Sequence, residues 1–476
     1  MKPAKRDVDL IKRLGATGLT CDSRAVQPGM IFAALPGTIA DGRDYIPQAI
    51  EKGAVAILTL PDTETGDTAL IADENPRLRY GQLARAFYPK QPQTLVAMTG
   101  TNGKSSTVEF LRQIWANAGY NAACFGTLGV MSDKGYAPMT HTTPDAVALH
   151  KTLHNLAEQG VTHVAMEASS HGLVQYRLDA VDIAASGFSN LTQDHFDYHT
   201  DEADYFEAKA RLFTELTPQQ APVVLTVDDE YGRELVTRAE KRGQAVTSIG
   251  WAGADIRIDE LMPHAASQDM TLVIDGKRHQ VNLPLAGEFQ SLNAVAALGL
   301  ALQTGVSLDD GLKGLEALTG VAGRLERAGQ TQHGAPVFID FAHTEDGLNK
   351  LLRSVRPHTR GKIVIVFGCG GDRDPDKRPK MGAVAAKYAD HVIVTDDNPR
   401  TEDAEAIRRA VMVGCPKAEN IGDRETAIRA GIEKLSADDC LVIAGKGHES
   451  GQIIGTRVIP FSDVEVAREI LAEVSK

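Results

Sequence analysis

The sequence predicts an α/β protein of three domains, and three observations carry that expectation. Short apolar runs alternate with helix-period patterns through most of the chain, as in largely parallel sheets buried on both faces. One such run leads into Thr99-Gly100-Thr101-Asn102-Gly103-Lys104-Ser105-Ser106, a glycine loop of the kind that joins a strand to a helix. The 476 residues are roughly three domains' worth of chain.

The elements follow in order. Residues 30–35 and 54–58 read as strands, and 80–88 as a helix, giving a small mixed α/β N-terminal domain over 1–92. Pro89-Lys90-Gln91-Pro92-Gln93 reads as a linker. Strand-like runs at 94–98, 162–166, 183–188 and 222–225, with a helix over 108–115, imply a doubly wound central domain over 93–320. Runs at 336–339, 362–367, 391–394 and 440–444, with a helix over 425–435, imply a C-terminal Rossmann-like domain over 321–476.

Bulk composition narrows the function. The net charge of −13, from 50 basic and 63 acidic residues, argues against nucleic acid or an anionic membrane as the main partner. Five scattered cysteines with no C-x-x-C pair suit reduced thiols in a cytosolic protein. The N-terminal stretch has no apolar signal region, and the longest apolar segment, 294–302, is too short to span a bilayer. A cytoplasmic protein without membrane insertion is expected.

The glycine loop makes ATP or GTP the first ligand hypothesis. Glycines let backbone N–H groups approach phosphate oxygens, Lys104 supplies a point charge, and the Ser105 hydroxyl can hold Mg²⁺. The central domain is therefore expected to be a P-loop-type ATPase domain. The loop is a variant, because Met98 stands where the usual spacing has its first glycine. Glu167 ends the 162–166 strand, where an acid either assists Mg²⁺ or is simply solvated. Asp194-His195-Phe196-Asp197-Tyr198-His199 reads as a zinc site, a catalytic base or a solvated loop, and the absence of zinc spacings disfavours the first. Lys209 sits on an amphipathic pattern from Tyr205 to Phe213, where a surface lysine is the default. Four later strand ends carry Asp340 and His343, then Gly368 to Asp374, then Asp396 to Arg400, then Gly445 to Glu449. Such a set of Arg and Asp at adjacent carboxyl edges suits a zwitterionic ligand.

Together these strings resemble the Mur ligase family, most closely its MurE type. The resemblance spans nearly the whole chain: Asp22-Ser23-Arg24, the glycine loop, His141-Thr142-Thr143-Pro144, Glu167-Ala168-Ser169-Ser170-His171-Gly172-Leu173, Asp194 to His199, Gly323-Arg324-Leu325-Glu326 and the four strand ends. It implies that Gly100, Thr101, Asn102, Gly103, Lys104, Ser105 and Ser106 hold ATP phosphates, and that Asn293, Arg324, Asp340 and His343 also contact ATP. It implies one Mg²⁺ on Ser105 and Glu167 and a second on Glu167, His195 and Lys209, with Lys209 carbamylated into an anionic oxygen ligand. Lys104, Glu167, His195 and Lys209 are then the catalytic set. Ser23, Thr142, Thr143, Ser169, Gln175 and Arg177 match positions that grip UDP-MurNAc-L-Ala-D-Glu. Arg373, Asp397, Asn398, Pro399, Arg400, Gly445 and Glu449 match positions that take meso-diaminopimelate.

The implied reaction is ATP-dependent amide formation through an acyl phosphate in peptidoglycan precursor synthesis, by a monomer. A guanidinium at Arg400 suits the distal carboxylate that diaminopimelate has and lysine lacks. The alternatives are a lysine-adding or folylpolyglutamate-type member, or a homologue that binds nucleotide without catalysis. The chain departs from the family pattern at Phe341, where many members have Tyr, at Glu345 for Pro, at Ala97 for Gly, at Ser105-Ser106 for Thr-Thr and at His141 for Asn. Altered affinities are expected there, with activity kept.

Overall fold

The computed structural model describes residues 3–37, 40–139, 141–192 and 198–474. The chain divides into two compact units, Met1–Asp255 with Ala296–Gly311, and Ile256–Val295 with Leu312–Lys476.

The first unit holds two sheets. Its N-terminal sheet is parallel, in the order Gly18–Thr20, Met30–Ala33, Ala56–Thr59 and Ala69–Ala72. Leu19, Ile31 and Leu58 pack against Tyr80, Leu83 and Ala84 of helix Pro76–Phe87. That helix starts four residues earlier than the apolar pattern suggests. Asn75 accepts the Leu78 N–H at 3.0 Å, and Pro76 fills the first position, where its missing donor costs nothing.

The second sheet carries six parallel strands in the order Val246–Gly250, Val223–Thr226, Ala185–Phe188, Thr94–Thr99, His163–Glu167 and Ala122–Gly126. From Thr94–Thr99 the chain first builds the sheet on one side, then on the other. The carboxyl end of Thr94–Thr99 is therefore the switch point, where open sheets of this kind bind ligands. Leu95, Ala97, Val164, Met166, Phe188, Val223 and Leu225 are buried in one cluster. Beyond Ala122–Gly126 the sheet continues antiparallel through Gly129–Ser132 and Gly135–Ala137. The expected amphipathic helix runs Glu202–Arg211 and ends in a π-type turn, Leu212–Leu216.

The second unit contains a sheet in the order Glu326–Gln330, Pro336–Asp340, Cys440–Ala444, Ile363–Phe367, His391–Val394 and Glu419–Asn420. The first pair is antiparallel and the rest are parallel. Ile363, Ile365 and Phe367 face one core, and Val364 and Val366 face the other. Period-two alternation between two apolar layers is why this strand reads as one unbroken apolar run. Several antiparallel features lay outside the sequence reading, among them the meander Ile256–Pro263, Gln268–Ile274 and Lys277–Leu283 and the hairpin of Gly451–Ile454 and Arg457–Pro460. Among the described residues no helix is long and apolar enough to cross a membrane, and all five cysteines are free thiols.

Candidate active site

The glycine loop lies at the switch point of the central sheet. Gly100 has φ +146° and Gly103 has φ +87°. A Cβ at Gly100 would lie 2.0 Å from Ser189 Oγ, so only glycine fits there. The loop is tied to the end of the neighbouring strand: the Thr101 N–H donates to Asn190 O at 2.8 Å, and the Asn102 N–H to Asn190 Oδ1 at 3.1 Å. Helix Lys104–Asn117 opens directly after Gly103 with no side-chain cap. Its first N–H groups are thus left for an acceptor outside the helix, as at phosphate-binding helix ends. Lys104 Nζ donates to the carbonyls of Gly100 (2.9 Å) and Thr101 (2.8 Å), curling over the loop.

Ser105 Oγ donates to Glu167 Oε1 at 2.8 Å. The same oxygen accepts the Thr127 N–H at 2.8 Å, and Thr127 Oγ1 reaches Glu167 Oε2 at 3.3 Å. A serine hydroxyl and a fixed carboxylate beside a phosphate-binding loop form an oxygen donor set that fits a hard cation such as Mg²⁺. Lys209 is 1% exposed. Its Nζ donates to Gly100 O at 2.9 Å and stands 4.1 Å from the Tyr205 ring centroid. The surface-lysine default is thus reversed, because helix Glu202–Arg211 packs this face inward. His195 lies outside the described residues.

A polar relay leads away from Glu167. Thr127 Oγ1 lies 2.9 Å from Thr142 Oγ1. Thr143 Oγ1 donates to Glu167 O at 2.9 Å and accepts from Ser169 N (3.0 Å) and Oγ (3.0 Å). Arg177 donates to Thr143 O at 2.6 Å and to Gln175 Oε1 at 2.7 Å. Five of the six residues expected at the UDP-sugar peptide site, namely Thr142, Thr143, Ser169, Gln175 and Arg177, thus form one network. Ser23 is buried in the N-terminal part, where its carbonyl accepts from Lys52 Nζ at 3.1 Å.

In the second unit the four strand ends converge as the sequence suggested. Asp340 accepts the N–H groups of Leu325 (2.7 Å) and Ala342 (2.8 Å). Burial pushes its carboxyl above the usual carboxylate range, against the pull of those donors and the Arg324 guanidinium. Phe341 packs between His343 (4.7 Å) and His448 (5.2 Å), with Arg324 5.2 Å from its centroid. Asn293 donates to Gln290 Oε1 at 3.1 Å, and Gln290 to Arg324 O at 2.8 Å.

The Asp397-Asn398-Pro399-Arg400 loop ends strand His391–Val394. Asn398 Nδ2 donates to Glu449 Oε2 at 2.9 Å. Arg400 adopts φ +53°, a left-handed backbone uncommon away from glycine. Its guanidinium donates to Gly371 O at 2.7 Å. Gly445 has φ +113° and a Cβ there would sit 2.6 Å from Asp397 Oδ2. Arg373 is exposed.

Sequence reasoning missed four participants. Thr127 binds Glu167 but follows a strand with no motif around it. Lys446 lies within the Gly445–Glu449 strand end, yet its burial could not be read there. Arg424 and Asp463 form a fully buried ion pair with two 2.7 Å contacts. Arg424 also donates to Asp396 O (3.2 Å) and Ala444 O (3.1 Å), bracing two of the strand ends.

Comparison with known proteins places the chain in a family. Three family models match in chain order: the Mur ligase family catalytic domain over residues 16–98, the Mur ligase middle domain over 98–301 and the Mur ligase glutamate ligase domain over 323–447. The chain is 47% identical over 466 residues to a UDP-N-acetylmuramoyl-L-alanyl-D-glutamate–2,6-diaminopimelate ligase of Bradyrhizobium diazoefficiens, covering 97% of this chain and 96% of the relative. It is 48% identical over 467 residues to the enzyme of that name from Agrobacterium fabrum, covering 98% and 95%. A solved structure of a ligase of that name superposes with a TM-score of 0.75 at 34% identity, covering 96% of this chain and 95% of that one. Folylpolyglutamate synthase from Mycobacterium tuberculosis, at 20% identity and a TM-score of 0.63, shares the fold. With family matches from residue 16 to residue 447 and near-half identity along the full length, this chain belongs to the Mur ligase family.

Proposed function

We propose that the chain is an ATP-dependent ligase that joins meso-diaminopimelate to the D-Glu γ-carboxylate of UDP-MurNAc-L-Ala-D-Glu, in peptidoglycan precursor synthesis. The observation that carries this reading is the Asp397–Arg400 loop. It carries a guanidinium (Arg400) and binds a carboxylate (Glu449) through its own Asn398, in a chain near-half identical to relatives named for diaminopimelate. A substrate whose far end is both an ammonium and a carboxylate matches that pair of opposite charges.

The residues divide the work as follows. The N–H groups of the Gly100–Ser106 loop and Lys104 take the ATP phosphates and offset charge developing on the transferred phosphoryl group. Asn293, Arg324, Asp340 and His343 serve the nucleotide. Ser105 and Glu167 would hold Mg²⁺, with His195 and a carbamate on Lys209 as further ligands; the ion supplies charge neutralisation at the phosphates. Thr142, Thr143, Ser169, Gln175, Arg177 and Ser23 hold the UDP-sugar peptide. Its γ-carboxylate attacks the γ-phosphorus and ADP leaves. The amine of diaminopimelate then attacks the acyl phosphate and inorganic phosphate leaves. Arg373, Asp397, Asn398, Pro399, Arg400, Gly445 and Glu449 hold that amino acid. No protein nucleophile is required. The protein acts as a cytoplasmic monomer, with working domains at 1–92, 93–320 and 321–476.

The test is phosphate release and product mass with UDP-MurNAc-L-Ala-D-Glu, ATP and either diaminopimelate or L-lysine. Product with diaminopimelate alone is expected. Equal or better use of lysine overturns the specificity, and no phosphate release with any amino acid overturns catalysis.

A further inference from the structure

Lys446 is 0% exposed, an uncommon place for an ammonium. Its Nζ meets three acceptors: Asn398 Oδ1 at 3.2 Å, Glu449 Oε2 at 3.2 Å and Gly451 O at 2.6 Å. Three acceptors match the three protons of an ammonium group. Each belongs to a different piece of the amino-acid site: the Asp397–Arg400 loop, the loop after strand Cys440–Ala444, and the hairpin strand Gly451–Ile454.

The hairpin is joined to the specificity loop at further points. Gln452 Nε2 donates to Asp397 O at 2.7 Å and the Ile453 N–H to Asn398 Oδ1 at 2.9 Å. The Arg400 N–H donates to Ile453 O at 3.0 Å, and Arg400 O accepts from the Gly455 N–H at 2.7 Å. These two bonds grip the left-handed Arg400 backbone from both sides. Lys446 touches loop, hairpin and carboxylate together.

Glu449 shows the consequence. Its Oε2 accepts from both Asn398 Nδ2 and Lys446 Nζ. Its Oε1 takes no hydrogen bond among the described residues, and the side chain is 37% exposed. The carboxylate is held by one oxygen and offers the other. Stability alone does not explain a buried ammonium here, since apolar residues replace buried ion pairs at little or no loss.

We propose that Lys446 is a positioning residue for the amino-acid substrate: its ammonium fixes Asn398 and Glu449 so that Glu449 presents one free oxygen to the substrate's distal ammonium. This rests on the reading that the cluster binds diaminopimelate. Lys446 acts through Glu449 and is not itself in contact with substrate.

The test is steady-state kinetics of Lys446→Met in the full-length protein. KM for diaminopimelate should rise at least about tenfold, the effect of one lost charge-assisted contact, while kcat and the KM for ATP stay within about threefold. The preference for diaminopimelate over lysine should shrink. In a Glu449→Gln background the same substitution should add little, because the group it acts through is already altered. An unchanged KM for diaminopimelate, an equal rise in the KM for ATP, or additive effects in the double variant would each overturn the proposal. Circular dichroism and a melting curve check folding. Lys446→Gln takes the same test if Lys446→Met does not fold, and failure of both to fold overturns the proposal in favour of a structural role. Wild-type protein that ligates no diaminopimelate would instead remove the underlying reading, a separate outcome scored first.

Discussion

The Ser105 hydroxyl and the Glu167 carboxylate meet at 2.8 Å, one from the first turn of the phosphate-loop helix and the other from the end of the adjacent parallel strand. Thr127 fixes the same carboxylate from a third direction. Glu167 is thus preorganised, with its charge beside the loop expected to hold phosphates. Glu167→Gln keeps the shape and removes the charge. Ligation should fall by about 10²–10³-fold, the range for losing one preorganised electrostatic group, with the melting temperature little changed. Phosphate release at saturating substrates checks this; turnover near wild type would remove Glu167 from the metal set.

Lys209 supports a second prediction. It is buried against the Tyr205 ring and the Gly100 carbonyl of the glycine loop. Carbamylation would turn its ammonium into an anionic oxygen ligand for the proposed second Mg²⁺. Lys209→Ala should nearly abolish ligation, and added bicarbonate should restore nothing, since no amine remains. A carbamate carbonyl signal in the wild type supplied with isotope-labelled bicarbonate, absent from the variant, is the direct check.

Arg400→Ala removes the guanidinium at the specificity loop. KM for diaminopimelate should rise by about 10–100-fold, as for a lost charge-assisted pair, with the KM for ATP unchanged. An unaltered diaminopimelate KM would show that Arg400 braces its own loop through Gly371 O and leaves the substrate untouched.

Much of this fold was legible because its strands are buried on both faces. Ile363–Phe367 and Cys440–Ala444 are unbroken apolar runs, and their bounds were read to within one residue. The meander Ile256–Leu283 was missed because its first strand is buried only at alternate positions, so no apolar run marks it, although Asp275 and Gly276, with φ +51° and +73°, form the kind of turn that joins such strands. At the site, loops with their own motif were visible, while partners brought in by tertiary packing were not. Met98 looked like a defect in the glycine loop. It is an interior strand residue, and Gly187 on the next strand makes room for it, since a Cβ there would lie 2.6 Å from Met98 Sδ. Lys209 reads as a surface lysine, and the burial of Lys446 goes unmarked, because sequence periodicity does not report which helix or hairpin closes over a side chain.

The Arg424–Asp463 pair gives a stability prediction. Both side chains are fully buried, so either one alone would be an uncompensated buried charge. Arg424→Met or Asp463→Leu should each cost about 3–5 kcal/mol, read from urea denaturation. The double variant Arg424→Met with Asp463→Leu should cost clearly less than the sum of the single changes. Additive losses would show that Arg424 works mainly through the Asp396 and Ala444 carbonyls.

His150 predicts how stability depends on pH. It is buried on helix Ala146–Glu158, with Gln91 Nε2 3.3 Å from its Nδ1. Burial, reinforced by the Arg85 charge, lowers its pKa from 6.5 to about 4. The unfolded chain therefore takes up a proton below about pH 6.5 that the folded chain refuses until about pH 4. Stability should fall as pH drops through that window, by about 2 kcal/mol between about pH 7.5 and about pH 5 from this residue alone. His150→Gln keeps a polar partner for Gln91 and cannot titrate there. Urea midpoints at the two pH values should then converge in the variant relative to the wild type. An identical pH slope in both proteins would assign the acid sensitivity to other groups.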